Sequence, residues 1–290
     1  MKEFQLIQQI QQGLSVSAAD NLQSGVILGI GDDAAVVEVP AGRHLVAATD
    51  TLNAGVHFPV ATLPFDIAYK CLAVNLSDMA AMGAIPRWAL LSLSLPEAGQ
   101  QWVMSFIDGF NSLANNHGVV LIGGDTTHGP LSVSLTALGL VKPGMQLVRH
   151  GAKPGDLLVV SGTVGGAARV LDLLQQDADL QARGDFKDRR LLDRPVPRVE
   201  LGQCLPGYAT SCIDISDGLL ADLGHVLAAS SCGASIVLEK LPGDEILNGL
   251  ENHLKWNYQL SGGDDYELLF TLPPEHREML NTWSHGRLLN

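Results

Sequence analysis

One local pattern recurs along most of this chain: an apolar run, then a Gly-, Ser- or Thr-rich segment that carries aspartate, then a helix-forming stretch. Short apolar runs that alternate with helical stretches are typical of layered α/β and α+β domains. Nine aspartates occupy such positions: Asp32, Asp33, Asp50, Asp78, Asp125, Asp214, Asp217, Asp264 and Asp265. The pattern therefore predicts a sheet-based fold in which many aspartates lie close together near the ends of the strands.

The apolar runs and the turns between them locate the elements and one domain boundary. In the first half they predict strands over residues 26–30, 44–48, 89–95, 119–122 and 131–141, and helices over residues 63–82 and 101–116. In the second half they predict strands over residues 157–161, 211–213, 234–238 and 267–272, helices over residues 165–175 and 218–230, and a mobile charged stretch over residues 176–194. Ser216 and Asp217 precede the helix at 218–230 as its expected caps. Residues 150–156 have turn chemistry, so we place the boundary there, between domains of residues 1–150 and 151–290.

The aspartates indicate a site for cations and phosphate. Carboxylates that crowd together repel one another, which raises their pKa values unless cations neutralise them. Ligands that are all oxygen favour hard ions, above all Mg²⁺, and Mg²⁺ usually accompanies phosphate. Any single aspartate also has an ordinary explanation as a turn or cap residue. Taken together with Gly, Ser and Thr neighbours that allow close approach to a bulky anion, they predict a metal- and phosphate-binding cleft.

The charge balance limits the partners. The 290 residues include 31 acidic and 18 basic residues, a formal net charge of −13, and no run of Lys or Arg. Nucleic acids and anionic membranes require a basic surface, so we exclude both as partners. The N-terminus lacks a signal-peptide core, and no apolar stretch approaches the ~20 residues that span a bilayer, so we expect a cytoplasmic protein.

Several residues have two interpretations. Arg149 is placed either for a nucleotide phosphate or for a surface salt bridge. His57 lies in a motif-dense loop, although a lone histidine is usually structural. Residues 162–166 (GTVGG) match neither a dinucleotide-binding loop nor a P-loop, and we expect them to pack a strand closely against a helix. The four cysteines show no CxxC spacing and are expected to be buried, reduced thiols.

Seven segments, in this order, resemble the thiamine-monophosphate kinase family. They are GIGDDAA at 29–35, TDTL at 49–52 with His57 and Phe58, Tyr69 and Lys70 through NLSDMAAMG at 75–83, LIGGDTT at 121–127, RHGAKPGD at 149–156, IDISDGL at 213–219 and SGGDDYEL at 261–268. Seven segments in register across nearly the whole chain are far more specific than any one of them.

The resemblance implies that ATP phosphorylates thiamine monophosphate to thiamine diphosphate. It places the chain in the superfamily of aminoimidazole ribonucleotide synthetase and selenophosphate synthetase, with a two-domain synthetase-like fold. The N-terminal α/β domain would bind ATP and Mg²⁺, and its strands would form a barrel at a homodimer interface. The C-terminal domain would be α+β, and the active site would lie between the two.

The resemblance also implies roles for individual residues. Mg²⁺ would be held by Asp33, Thr49, Asp50, Asp78, Asp125, Asp214 and Asp217; ATP would contact Gly124, Asp125, Arg149 and Ser216; thiamine monophosphate would face His57 and Asp264. No catalytic base is expected, because a phosphate monoester has a second pKa near ~6 and its oxygen is already nucleophilic at neutral pH. We therefore expect direct in-line transfer of the γ-phosphoryl group in a ternary complex with several Mg²⁺ ions and no phosphoenzyme.

Two features depart from the family pattern. Ala48 stands where relatives can have Ser before the Thr-Asp pair, so any metal ligand there would be a backbone carbonyl. The chain reaches Asn290 soon after Trp283, whereas the family continues through a strand-rich segment with an aromatic that stacks on the thiamine rings. Either this sequence is a truncated form that lacks the segment, or the pocket for the organic end of the substrate is incomplete.

Other functions stay open at this point. The nearest is a sibling ATP-dependent synthetase that acts on a purine intermediate, as aminoimidazole ribonucleotide synthetase does. A selenophosphate synthetase would need a reactive cysteine near the N-terminus, whereas the first cysteine here is Cys71. A Ca²⁺ or Mg²⁺ storage module would not need Arg149 or the Gly-Gly-Asp turns, and EF-hand spacing is absent. A two-metal phosphohydrolase would normally bring histidines into the cluster.

Overall fold

The computed structural model of the chain describes residues 3–14, 24–97, 99–177, 180, 186–285 and 289. The chain divides into two units. The first consists of Met1–Met79 and Ile85–Pro143, and the second of Ala80–Ala84 and Gly144–Asn290. Each unit has its own sheet and its own hydrophobic core.

The first unit is built on a mixed four-stranded sheet. Its elements are α1 (Glu3–Gly13), β1 (Val26–Leu28), β2 (Val36–Val37), β3 (His44–Asn53), α2 (Pro64–Ala81), β4 (Ile85–Leu95), α3 (Gln100–His117), β5 (Val120–His128) and β6 (Ser132–Val141). The strand order is β3-β6-β4-β5; β6 is antiparallel to β3 and β4, whereas β4 is parallel to β5. The parallel pair requires a crossover, which α3 provides. β1 and β2 form a separate pair that packs on the sheet near Trp88.

Helix α2 forms the centre of the first unit because it is apolar on nearly all sides. Leu72, Leu76 and Met79 have no exposed surface. Two of its buried polar side chains donate hydrogen bonds: Lys70 Nζ donates to the carbonyl of His57 at 3.1 Å, and Asn75 Nδ2 donates to a carbonyl one turn earlier at 3.0 Å. The helix ends before Gly83, whose φ of +66° favours glycine.

The second unit is built on an antiparallel three-stranded sheet in the order β7-β9-β8. Its elements are β7 (Leu157–Val160), α4 (Gly166–Gln176), α5 (Arg190–Asp193), α6 (Val199–Cys204), β8 (Ser211–Asp214), α7 (Leu219–Ser230), α8 (Asn252–Ser261), β9 (Leu268–Leu272) and α9 (Glu278–His285). Every residue of the central strand β9 is buried. The core on one side of this sheet includes Val164, Ile215, Leu219 and Leu269.

The structure corrects three predictions about elements. Residues 234–238 do not form a strand; the chain there is irregular and passes into a 3₁₀ turn at Leu238–Lys240. Asp50 and Asp125 do not lie in turns after strands, because β3 and β5 continue through the threonine-rich segments, and threonine favours strands. Part of the stretch predicted to be mobile is helical, with a 3₁₀ turn at Lys187–Arg189 followed by α5. Residues 178–179 and 181–185 of that stretch lie outside the described residues.

Cysteine and glycine environments match the predictions only in part. All four cysteines are free thiols, and Cys71 and Cys212 are buried, but Cys204 is exposed, so the prediction of burial is wrong there. Burial raises the pKa values of the Cys71 and Cys212 thiols. The expected close packing at residues 162–166 is confirmed, because a Cβ at Gly165 would lie 2.8 Å from the backbone nitrogen of Gln259 in α8.

No described helix is both long and apolar enough to cross a membrane.

Candidate functional site

Two acids meet where β3 and α2 pack in the first unit. Asp50 lies on the less exposed face of β3 with Leu52, and its carboxyl group is hydrogen-bonded to Asp78 of α2. Burial raises the pKa of Asp50, while the hydrogen bond with Asp78 and the nearby His57 act in the opposite direction. Two carboxyl groups in such contact share a proton or a cation, so this pair is a candidate for metal ligation.

Two buried oxygens beside predicted ligands have no hydrogen-bond donor among the described residues. They are Asn75 Oδ1, one turn before Asp78, and Thr126 Oγ1, next to Asp125 in β5. The orientation of the Asn75 amide is fixed, because its Nδ2 donates to the carbonyl of Cys71. A buried oxygen without a donor costs about 1–3 kcal/mol, and water around a cation would satisfy it. This all-oxygen set of donors fits Mg²⁺.

The turn after β3 fixes the ring of His57. The backbone nitrogen of Asn53 donates to His57 Nδ1 at 3.0 Å, so the proton of the neutral ring lies on Nε2. The carbonyl of His57 accepts from the buried Lys70, which ties the turn to α2. The ring is exposed, with Nε2 as its donor. His57 is therefore both a structural residue of this turn and a donor held in a fixed position.

Gly124 allows β5 to pair with β4. It lies opposite Leu91 with a φ of +152°, and a Cβ there would lie 1.7 Å from the Leu91 carbonyl oxygen. Only glycine fits this register, which places Asp125 in an exposed position on the strand. On the other edge strand, Thr49 Oγ1 donates to the carbonyl of Leu135 at 3.1 Å.

Asp33 lies in an exposed bend between β1 and β2. Its backbone nitrogen donates to Asp32 Oδ1 at 2.8 Å, so the Asp32 carboxylate acts as a local acceptor in the bend.

Two acid-bearing loops of the second unit are joined by backbone hydrogen bonds. The backbone nitrogen of Ile215 donates to the carbonyl of Glu267 at 2.8 Å. The backbone nitrogens of Tyr266 and Asp264 donate to the carbonyls of Ile215 and Ser216 at 2.8 and 2.9 Å. Asp264 and Tyr266 adopt positive φ values of 68° and 51°, which are uncommon for residues other than glycine. These bonds bring the segment around Asp214 and Asp217 next to Asp264.

Buried partners anchor the second of these loops. Glu267 forms a two-point ion pair with Arg198, with Nε to Oε2 at 2.7 Å and Nη2 to Oε1 at 2.5 Å, and accepts a further hydrogen bond from the Ser161 hydroxyl. The Tyr266 hydroxyl donates to Asp264 Oδ1 at 3.1 Å. The carboxylate of Asp264 therefore has a defined orientation at the strained end of this loop.

Two further aspartates accept hydrogen bonds from backbone N–H groups. Asp265 accepts the N–H of Gly165 at 2.8 Å at the start of α4. Burial is the largest influence on the Asp265 carboxyl group and raises its pKa to about 8. Asp222 accepts from the backbone nitrogens of Ser216, Asp217 and Gly218. Asp222 thus takes the capping role predicted for Ser216 and Asp217. The feature of the sequence that could have indicated this role is the acid in the first turn of α7.

The residues predicted to hold metal are divided between the units. Asp33, Thr49, Asp50, Asp78 and Asp125 belong to the first unit, and Asp214 and Asp217 to the second. Asp214 is buried at the end of β8, Asp217 is exposed, and Arg149 is exposed in the bend before residue 150. Within the described part of the chain, no three His, Cys, Asp or Glu side chains form a group that could hold a metal ion.

Two domain families match the chain. Residues 31–141 match AIR synthase related protein, N-terminal domain, and residues 153–289 match AIR synthase related protein, C-terminal domain. These matches show a two-domain fold of the AIR synthase type.

Individual proteins match over nearly the whole chain. Thiamine-monophosphate kinase from Escherichia coli (strain K12) is 47% identical over 96% of this chain and 85% of its own length. The crystal structure of thiamine-monophosphate kinase from Stenotrophomonas maltophilia K279a is 46% identical with a TM-score of 0.91, covering 100% of this chain and 92% of that one. AaThiL complexed with AMPPCP and TMP is 32% identical with a TM-score of 0.74, covering 94% and 85%. On these matches, the chain belongs to the thiamine-monophosphate kinase family.

Proposed function

We propose that this protein transfers the γ-phosphoryl group of ATP to thiamine monophosphate and forms thiamine diphosphate. The proposal depends on the 47% identity to a thiamine-monophosphate kinase over 96% of the chain. That aligned part of the chain contains all seven segments described in the sequence analysis. A related structure holds AMPPCP, an ATP analogue, together with TMP. ATP is therefore the co-substrate. The proposal keeps the expectation from the sequence that the reaction takes place in the cytoplasm.

The chemistry requires positioning and charge compensation more than proton transfer. The acceptor phosphate is already nucleophilic at neutral pH, which agrees with a site that has no assigned general base. Mg²⁺, when bound, supplies the positive charge that neutralises the phosphates of both substrates. Asp50 and Asp78 would hold it as the central pair, with Asp33, Thr49, Asp125, Asp214 and Asp217 as the further ligands.

The remaining site residues bind and orient the substrates. Gly124, Asp125, Arg149 and Ser216 contact ATP, and the guanidinium of Arg149 offers paired donors that match a phosphate. His57 directs its Nε2 proton to the phosphate of thiamine monophosphate. Asp264 compensates the positive charge of the thiazolium ring, and the Tyr266 hydroxyl holds it in orientation. We propose residues 1–150 as the ATP, Mg²⁺ and dimerisation domain and residues 151–290 as the α+β domain; the two units of the structure divide slightly earlier, between Pro143 and Gly144.

A homodimer built on the first unit is part of the proposal. Among the described strands, β3 is a sheet edge, and no closed barrel forms. Leu45 of this edge strand is 48% exposed. An unpaired edge strand is a natural pairing surface, so two sheets could complete a barrel across the interface. Light scattering should give the mass of two chains, and a monomer would contradict this part.

The direct test is the reaction itself. Incubating the protein with ATP, Mg²⁺ and thiamine monophosphate should give thiamine diphosphate and ADP in equal amounts, separated by chromatography. If ATP is consumed only with a purine-pathway amide substrate, the sibling synthetase is the correct function. If neither acceptor is phosphorylated while the protein is folded, the proposal is wrong.

The ternary mechanism has its own test. Protein incubated with radioactive ATP and Mg²⁺, without thiamine monophosphate, should retain no label after denaturation and washing. Label that stays on the protein and moves to thiamine monophosphate when it is added would indicate a phosphoenzyme instead.

A further inference from the structure

We propose that Asp222 is a positioning residue for the nucleotide end of the site: it holds the loop of residues 214–218 in shape by occupying the amides that a phosphate would otherwise use. The inference rests on the proposed function for the role of Ser216 and Asp217. The geometry of the loop does not depend on that function, and can be tested by itself.

Three successive amides converge on one carboxylate oxygen. Asp222 Oδ2 accepts from the backbone nitrogens of Ser216, Asp217 and Gly218 at 3.0, 3.1 and 3.2 Å. Asp222 is only 3% exposed, so this is an interior contact. A buried carboxylate that gathers three N–H groups fixes the backbone of all three residues at once.

The loop is also packed closely against residues 261–263, which leaves little room for another backbone path. Gly218 has a φ of +119°, and a Cβ there would lie 3.0 Å from the carbonyl carbon of Ser261. In the same interface, a Cβ at Gly263 would lie 2.6 Å from the carbonyl oxygen of Ser216. The loop is therefore packed against the segment that carries Asp264, while its amides are held by Asp222. Asp217 remains exposed at its tip.

An anion already occupies the start of α7. The N–H groups at a helix N-terminus ordinarily form a ready site for phosphate. Here the chain fills that site with its own carboxylate, and at the start of α4 the carboxyl group of Asp265 accepts the N–H of Gly165. Phosphate therefore has to be met by side chains such as the Ser216 hydroxyl and by cations, which agrees with the acids on this loop.

The alternative is that Asp222 only caps a helix. A cap contributes to stability alone, and its loss would leave ligand binding unchanged once the protein is folded. A positioning role predicts in addition that the loop amides open and that the nucleotide binds less tightly in the folded variant.

The test uses Asp222→Asn with Asp156→Asn as its matched control. Asp156 also accepts a backbone N–H, from Lys153 at 2.9 Å, and a hydroxyl, from Thr210 at 2.6 Å. Thr210 lies immediately before β8, whereas the loop held by Asp222 follows the end of that strand. The control thus loses a comparable carboxylate in the same unit, away from the loop.

Two quantities are measured on proteins shown to be folded by circular dichroism. In Asp222→Asn, hydrogen exchange in peptides covering residues 214–218 should be faster by about tenfold or more, without any ligand. Calorimetric affinity for AMPPCP, with Mg²⁺ and thiamine monophosphate present, should be weaker by about tenfold or more. In Asp156→Asn both should stay within roughly twofold of the unaltered protein.

Each outcome decides the proposal. Unchanged exchange in Asp222→Asn overturns it, whatever the substrate of the protein is. Faster exchange with unchanged AMPPCP affinity reduces Asp222 to a cap and also overturns it. Asp222→Glu, which keeps the charge but displaces the oxygen, should show a similar loss if Asp222→Asn does not fold; if neither folds, Asp222 acts in folding and the positioning role is wrong. An unaltered protein that binds no AMPPCP contradicts the proposed function, while the exchange result still tests the loop.

Discussion

At the scale of single residues, the aspartates separate into two kinds that look alike in the sequence. Asp32, Asp222 and Asp265 accept hydrogen bonds from backbone N–H groups, Asp32 in an exposed bend and the other two inside the second unit, whereas Asp50 is paired with Asp78. The sequence could show that acids follow glycine-rich turns, but it could not show which amide lies within reach of each one. Asp222 was missed for this reason.

Replacing Asp50 or Asp78 by Asn should reduce kcat by orders of magnitude at saturating Mg²⁺ while the protein stays folded. Removing one carboxylate from this half-buried pair removes the repulsion between the two acids when both are ionised, so the thermal midpoint should be unchanged or slightly higher. Steady-state kinetics and thermal unfolding check this, with Asp156→Asn as the control. Near-normal turnover in either variant would remove the pair from the site.

Replacing Asp265 by Asn should reduce the dependence of stability on pH. The folded carboxyl has a pKa raised to about 8, whereas the unfolded one titrates near 3.8, so between these values the folded state binds more protons. The free energy of unfolding should therefore fall as pH rises through this window. Urea unfolding at pH 5 and pH 8 should show a smaller fall in Asp265→Asn; an equal fall would place the proton elsewhere.

Replacing Tyr266 by Phe should release the Asp264 carboxylate from its hydroxyl donor. We expect KM for thiamine monophosphate to rise by about threefold to tenfold, roughly the net contribution of one ordinary hydrogen bond, with KM for ATP unchanged. Kinetics with each substrate varied in turn measure this. A rise in both KM values would indicate a general change of the loop.

At the scale of elements, sequence patterns located those that bury one continuous face. Helices α2 and α3 and strands β4 and β9 lie within a few residues of their predicted positions. Residues 234–238 are an apolar run without a strand partner, which periodicity alone could not reveal. The continuation of β3 and β5 through Asp50 and Asp125 also depends on neighbouring strands that the local sequence does not contain.

The same substitution in two helices should have opposite effects. In α3, a Cβ at Gly109 would lie 2.0 Å from the carbonyl oxygen of Phe65, so Gly109→Ala should destabilise by about 3 kcal/mol or more. In α7, a Cβ at Gly224 meets nothing within 4 Å, so Gly224→Ala should stabilise by about 0.5–1 kcal/mol. Chemical unfolding of both variants checks the pair. Equal signs would contradict the packing of α3 against the start of α2.

At the scale of the whole molecule, the sequence predicted a two-domain synthetase-type chain, and the comparisons show that fold and the family. Family resemblance could be predicted because it depends on seven short segments in order. Two features could not be predicted from the sequence, because they depend on contacts between separate elements. They are the pairing of Asp50 with Asp78 and the hydrogen bonds from the 214–218 loop to Asp222.

The central claim is that cations link the proposed metal-binding aspartates, Asp50 and Asp78 above all, to the phosphates of the nucleotide. One binding measurement tests this claim most directly. AMPPCP is titrated calorimetrically into the protein with thiamine monophosphate present, once with Mg²⁺ and once with EDTA. We predict tight binding with Mg²⁺ and an affinity weaker by at least about tenfold in EDTA, with Asp50→Asn losing most of that difference. Equal affinity under both conditions would contradict the claim.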